Sequence, residues 1–314
     1  MKQLNREAFE RARHFLRTEA RSLDGALFAY RFEGASAETV LEELSSYRND
    51  DGGFGHALEP DLRTPTSSAL ATGDGLKILA ELGCRAGHPF VAGAVRYLLA
   101  TFDEDRDVWR VAPHDANDYP HAPWWHDEDG SLARVFDGFL VIPRAQIVGL
   151  LHHFSAQVPA GWLAELTERT VADIETIEPF GSGGGDDLRY ALHLTETPAL
   201  PQRWRVRLAR RLRAVVPQVV SRDPEEWSSY TITPLKVVSS PDSLVLDLIE
   251  DAVHRHLDYQ IDHQSPEGTW DPVWTWGDAY PDAWETAKRE WRGALTLRTL
   301  TVLRSFDRIE GLGF

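Results

Sequence analysis

Four stretches of this 314-residue chain gather side chains able to move protons or hold a substrate. The tightest is Gly55–Arg63, which places His56, Glu59, Asp61 and Arg63 within eight positions. Neighbouring carboxylates raise one another's proton affinity, and an adjacent imidazole and guanidinium tune it. Glu59 and Asp61 therefore read as an acid or base, with His56 beside them and Arg63 as a binding cation. The structural alternative is that Asp61 or Thr64 caps a helix beginning near Pro65 and that Arg63 pairs with Glu59. Both readings stay open. The second stretch, 114–130, holds His114, His121 and His126 among carboxylates. Their H-x6-H-x4-H spacing matches no established metal motif. No metal or cofactor is expected, and His121, Trp124 and Trp125 read as part of an aromatic loop covering a substrate.

The third stretch, Gly181–Tyr190, imitates a phosphate loop. It lacks the Lys-Ser/Thr ending, and two aspartates repel a phosphate, so a turn ending in an Asp cap is favoured. Asp186 and Asp187 join the candidate acids, with Tyr190 as a binding residue. The fourth is the tryptophan-rich end. Trp284 and Trp291 lie two helical turns apart and read as core. Trp274, Trp276 and Tyr280 precede that helix and are expected to line a cavity, with Asp278 as a further acid. Trp227, in the turn Asp223–Pro234, is an additional candidate.

The elements that must position these groups are helices. Phe9, Ala12, Leu16 and Ala20 recur at three- and four-residue steps, as do Leu70, Leu76, Leu79 and Leu82. The same periodicity predicts helices over 89–102, 144–154, 160–176, 204–220, 243–261 and 286–305. Alternating runs that demand strands are scarce, and Leu140-Val141-Ile142 is too short to insist on one. One all-helical domain of roughly ten to twelve helices is expected, with no compositional boundary inside it. The single cysteine, Cys84, excludes an intramolecular disulfide, and no stretch reaches the length of a membrane span. A net charge of −16 disfavours nucleic acid and anionic membranes as main partners. The basic run Arg203–Arg213 reads as a solvated outer helix, with at most peripheral membrane contact, and the expected compartment is the cytoplasm.

Two segments carry a resemblance. Gln264-Ser265-Pro266-Glu267-Gly268-Thr269-Trp270 is similar to the Q-x-x-x-G-x-W turn of squalene and oxidosqualene cyclases. Asp51-Gly52-Gly53-Phe54-Gly55, continuing through Pro60, Leu62, Pro65, Thr66 and Ala69, resembles the G-G-F-G…P-x-L-x-P-T-x-x-A segment of protein prenyltransferase β subunits, with Tyr47 standing roughly where the glutamine would be. The resemblance implies an α/α toroid of about six helical hairpins around a central cavity. The residues that drive the family's known chemistries are missing, namely a D-x-D-D acid, a complete D-D-x-x-D and a D-x-C zinc motif. What the resemblance implies is a terpenoid-cyclase-like enzyme moving a proton on an apolar, isoprenoid-type small molecule, by isomerase- or lyase-type chemistry. A carbohydrate-active or glycan-binding toroid and a non-catalytic lipid- or partner-binding toroid are the alternatives. The candidate residues are expected to converge on one mouth of the ring.

Overall fold

The computed structural model describes residues 1–137, 142–178, 180 and 182–312. Among them run thirteen α-helices in order: α1 (Arg6–Thr18), α2 (Ser22–Glu33), α3 (Ala37–Ser45), α4 (Ala69–Glu81), α5 (Pro89–Thr101), α6 (Ser131–Asp137), α7 (Arg144–His153), α8 (Ala160–Thr176), α9 (Ser182–Glu196), α10 (Gln202–Val219), α11 (Pro234–Val237), α12 (Leu246–Asp262) and α13 (Pro281–Ser305). Two two-residue strands, β1 (Phe102–Asp103) and β2 (Val108–Trp109), form an antiparallel hairpin pairing Phe102 with Trp109. The protein is mainly α-helical. The Leu140-Val141-Ile142 run lies largely outside the described residues. No helix among those described is long and apolar enough to cross a membrane.

Helices α1, α4 and α5 begin where a side chain satisfies a first-turn amide. Asn5 caps α1 through the Ala8 N–H at 2.9 Å, and Ser68 caps α4 through the Ala71 N–H at 3.0 Å. Neither Asp61 nor Thr64 caps α4, because Ala69 is its first residue; the segment before it is held by other bonds. Gly181 lies outside the described residues, and from Ser182 onward the expected turn is replaced. Helix α9 begins at Ser182, with Gly185 at a φ of 88° and Asp186 and Asp187 inside the helix. Burial of Leu188, Ala191, Leu192 and Leu194 outweighs the poor helix propensity of the glycines before them. Helices α2, α3, α6, α9 and α11 went unread in the periodicity.

The chain divides into two compact units, Met1–Glu43 with Val216–Phe314, and Leu44–Val215. In the second unit α7 packs against α4, α8 and α9, and α4 against α5. Three turns of this unit each seat on the helix that follows the next long one. The turn at 48–54 lies against α5, where a Cβ on Gly52 would stand 2.5 Å from the Gly93 carbonyl oxygen. The turn at 107–109 meets α8 through Trp109 and Trp162 and through the ion pair of Asp107 with Arg169 at 2.9 Å. Ile177 and Phe180 meet α10 through Arg211, which donates to the Ile177 carbonyl at 2.8 Å and lies 5.8 Å from the Phe180 ring centre. The basic run belongs to α10, where Arg207 is bound by Glu168 and Glu175.

In the first unit α13 packs against α1 and α2, and α11 against α12. Trp227 seats on α12 against His256 (4.6 Å) and Tyr259 (5.4 Å). The glutamine–tryptophan turn seats on α1. Gln264 donates to the carbonyls of Ala8 and Gly268, both at 3.0 Å. The Trp270 indole donates to the Gln260 carbonyl at 2.9 Å. Gly268, at a φ of 88°, leaves 2.5 Å between its missing Cβ and the Ala12 nitrogen. Leu4 bridges Ile309 in parallel, so the segment before α1 and the one after α13 are paired.

Candidate functional site

Three helices of the Leu44–Val215 unit bring polar and ionisable groups together: α4 with Asp74 and Lys77, α7 with Gln146, and α9 with Asp186, Arg189, Tyr190 and His193. On α9 these four recur at three- and four-residue steps, so one face carries them. Gln146 is buried and donates to Asp74 at 3.3 Å. Arg189 donates from Nε to Asp186 at 3.2 Å, and its guanidinium carbon lies 4.5 Å from the Tyr190 ring centre. The Arg189 and Asp186 side chains keep 30% and 34% of their surface, so the pair is open at one side.

The electrostatics follow from this crowding. Burial works to lower the Arg189 guanidinium, and Tyr190, Asp186 and Asp74 more than reverse it, so Arg189 is a fixed cation. Burial raises the Tyr190 phenol; Arg189 opposes the shift, and Asp74, Asp186 and Glu59 add to it. Burial, with the cations Lys77 and Arg189 nearby, pushes the His193 imidazole down to about 3. The helices thus hold a neutral phenol and a neutral imidazole beside a guanidinium and several carboxylates. Such a set can donate and accept hydrogen bonds near neutral pH, while the raised phenol and the lowered imidazole stay uncharged there.

The two loops singled out in the sequence are joined. Leu62 bridges His121, the Arg63 N–H donates to the Pro120 carbonyl at 3.1 Å, and the Ala122 N–H donates to the Asp61 carbonyl at 2.8 Å. Thr64 and Thr66 both donate to Asp115, at 3.2 and 2.6 Å. Asp61 and His121 are buried, Glu59 is half-buried and accepts the Asp61 N–H, and His56 is exposed. His56 and Ala57 both have positive φ, 54° and 60°, a costly pair of consecutive left-handed non-glycine residues. His56 bonds Asn49 at 2.8 Å. Trp125 is buried and Trp124 exposed. Asp187 is buried, and its carboxylate accepts the Leu188 N–H at 2.7 Å.

The remaining candidates lie in the other unit. Trp227 and Trp276 are buried, Trp276 tilted against Trp284 at 5.6 Å. Trp274 is half-buried, edge-on to Trp291 at 5.0 Å. Asp278 is exposed, and so is Tyr280, which precedes α13 with a φ of 46°.

Asp74, Gln146, Arg189 and His193 escaped the sequence reading because they sit inside regular helices. Their signal was present: Asp74 and Lys77 lie in a largely apolar α4, and Gln146 lies in an α7 of which every residue but His153 is buried. Among the described residues, no group of three or more His, Cys, Asp or Glu side chains is placed to hold a metal ion. No family model, curated protein or solved structure matches this chain.

Proposed function

We propose that the chain is an α/α toroid of six helical hairpins and an acid–base enzyme, with the polar face of α4, α7 and α9 as its site. Support for the ring comes from the turns. The turn at 264–270 sits on α1 as the turn at 48–54 sits on α5, the relation expected when the last hairpin is followed by the first. In this reading the six hairpins are, in chain order, α1–α2, α3–α4, α5–α7, α8–α9, α10–α11 and α12–α13.

The observation that carries the functional reading is Arg189, pinned to Asp186, lying over the neutral phenol of Tyr190 and sensing Asp74. A lining so charged binds hydroxyl groups better than isoprenoid methyls, since burying those charges against hydrocarbon leaves them uncompensated. Within the classes the sequence admits, this favours a small hydroxylated molecule of the carbohydrate type over an apolar isoprenoid. Asp74, oriented by Gln146, is the proton-transfer group of this reading; Tyr190 donates a hydrogen bond and Arg189 holds the substrate oxygen.

Calorimetric titration of the protein with neutral mono- and oligosaccharides, and in parallel with isoprenoid alcohols, tests it. Binding of a saccharide that Asp74→Asn and Arg189→Met each weaken at least about tenfold is expected, about 1.4 kcal/mol per lost contact. Binding of the isoprenoid alcohols alone returns the site to cyclase-like chemistry. Binding of neither leaves the non-catalytic toroid as the better reading.

A further inference from the structure

The loop 114–130 contains a second arrangement, independent of the α4–α7–α9 site and of the function proposed for it. His121 is buried and His126 exposed. His121 Nδ1 stands 2.6 Å from the Tyr119 carbonyl oxygen, and its Nε2 stands 3.1 Å from Nδ1 of His126. A carbonyl oxygen only accepts, so His121 Nδ1 carries the hydrogen. In the neutral ring Nε2 is then a lone pair, so in the 3.1 Å contact with His126 the hydrogen sits on His126 Nδ1. That fixes the outer end: His126 Nε2 is left as a lone pair on an exposed ring.

We propose that Tyr119, His121 and His126 form a proton relay in which His126 Nε2 is the accepting atom, directed at a small hydroxylated molecule or a water bound outside this loop. The step balances. The ligand O–H bond breaks with its electron pair kept by oxygen, and a new N–H bond forms at His126 Nε2. The resulting imidazolium passes its Nδ1 hydrogen to His121 Nε2. The charge then rests on His121, whose Nδ1–H points at a backbone carbonyl that stabilises it. His126 accepts the ligand's proton, and His121 both orients His126 and takes up the relayed charge. The relay is mechanically fixed. The Ala122 N–H bonds the Asp61 carbonyl, Ser131 donates to the His126 carbonyl at 3.2 Å, and Asn117 donates to the Asp127 carbonyl at 2.7 Å. Trp124, two residues before His126, is the exposed ring of the same turn, an apolar surface of the kind that sugar rings cover.

Two measurements on the intact protein decide the matter. Long-range proton–nitrogen correlation spectra at mildly alkaline pH report which ring nitrogen carries hydrogen. The expected pattern is Nδ1–H for both His121 and His126, and Nε2–H on His126 overturns the relay. Acylation by diethyl pyrocarbonate, followed residue by residue by mass spectrometry, reads the reactivity of the free lone pair. His121→Phe removes the acceptor that orients and polarises His126, and the acylation rate at His126 should fall. An unchanged rate in a folded variant overturns the relay as well. Should His121→Phe not fold, the tautomer pattern of the native protein decides between relay and no relay by itself.

Discussion

The turns at 48–54 and 264–270 are the same device built from different side chains. In both, a backbone amide near the start of the turn is bonded back across the loop: Asn49 N–H and Ser265 N–H donate to the carbonyls of Gly53 and Thr269 at 3.0 and 2.9 Å. In both a glycine with φ near 90° lies against another helix. In both the aromatic amide donates to a threonine of the next long helix, Phe54 to Thr72 at 3.0 Å and Trp270 to Thr296 at 3.2 Å. This register puts Arg48, not Tyr47, in the place of Gln264. The glutamine therefore contributes to the turn without defining it. Glycine, aromatic plug and threonine acceptor define it. The two turns also lead into different segments. After Phe54 the chain runs through the strained His56–Ala57 pair into the loop that meets 114–125; after Trp270 it runs through an aromatic segment onto α13.

The largest expected effect is on acid stability, and it bears on both regions. His193 in one unit and His256 in the other are each pushed down to about 3 by burial, and His152 to about 4. His256 accepts the Leu235 N–H at 3.2 Å as a neutral ring between Trp227 and Tyr259. A depressed folded value means that the unfolded chain binds more protons once pH falls below its ordinary 6.5. The stability from these rings is therefore complete above about pH 6.5 and is lost as pH falls towards 3–4. Each ring contributes up to about 1.4 kcal/mol per pH unit in that window. Urea midpoints measured from pH 7 to pH 4 should fall steadily, and a flat profile across this range rejects the three neutral rings.

Next come the plugs. Phe54 is fully buried and Trp270 nearly so. Replacement of either by alanine should cost roughly 3–5 kcal/mol through the cavity left. If the two turns are equivalent, the losses match. A Trp270→Ala protein that melts within a degree of the original would show that only the first turn is structural. The glycines sharpen the same point. Gly52→Ala and Gly268→Ala both force a Cβ to 2.5 Å from backbone at positive φ. Each should cost roughly 2–5 kcal/mol, strain of about 1–2 plus overpacking of about 1–3. Tolerance of alanine at one of them in a thermal melt separates the turns.

These turns were the most legible part of the chain, because glycine, proline and an aromatic at fixed spacing have few uses besides a tight plugged turn. The helices with one apolar face were legible for the same kind of reason. Helices α2 and α9 were not: α2 is buried around most of its surface through Leu23–Ala29, which erases periodicity, and α9 opens with glycines. The ionic cluster was hidden more deeply. Asp74 and Gln146 meet only because α4 packs on α7, and no local spacing encodes that. Glu59 and Asp61, prominent in sequence, make backbone bonds within their own loop and to Ala122.

A smaller effect belongs to the threonines. Thr72→Val and Thr296→Val each leave a buried aromatic amide without its acceptor while keeping side-chain volume. A loss of about 1–3 kcal/mol is expected from each, read as a shift in denaturation midpoint. Equal losses support one turn used twice.

The smallest effect concerns the position where the turns differ, and it discriminates best between a shared turn and a shared glutamine. Gln264 makes two 3.0 Å bonds to carbonyls, one of them on α1, so Gln264→Ala should cost about 1–2 kcal/mol. Arg48 occupies the equivalent place by different means. Its guanidinium lies 5.2 Å from the Phe90 ring centre, and its terminal nitrogen stands against Gly93, so it covers α5 by packing and by cation–π attraction. Arg48→Gln exchanges that cover for a shorter amide that can reach the same kind of carbonyl. The gain of one hydrogen bond and the loss of one cation–π contact are each about 0.5–1.5 kcal/mol, so the net change should stay within about 1 kcal/mol. A larger loss from Arg48→Gln than from Gln264→Ala would mean that the first turn depends on its arginine as the last depends on its glutamine. In that case the first position, and not the glycine–aromatic–threonine set, is what the two turns have in common.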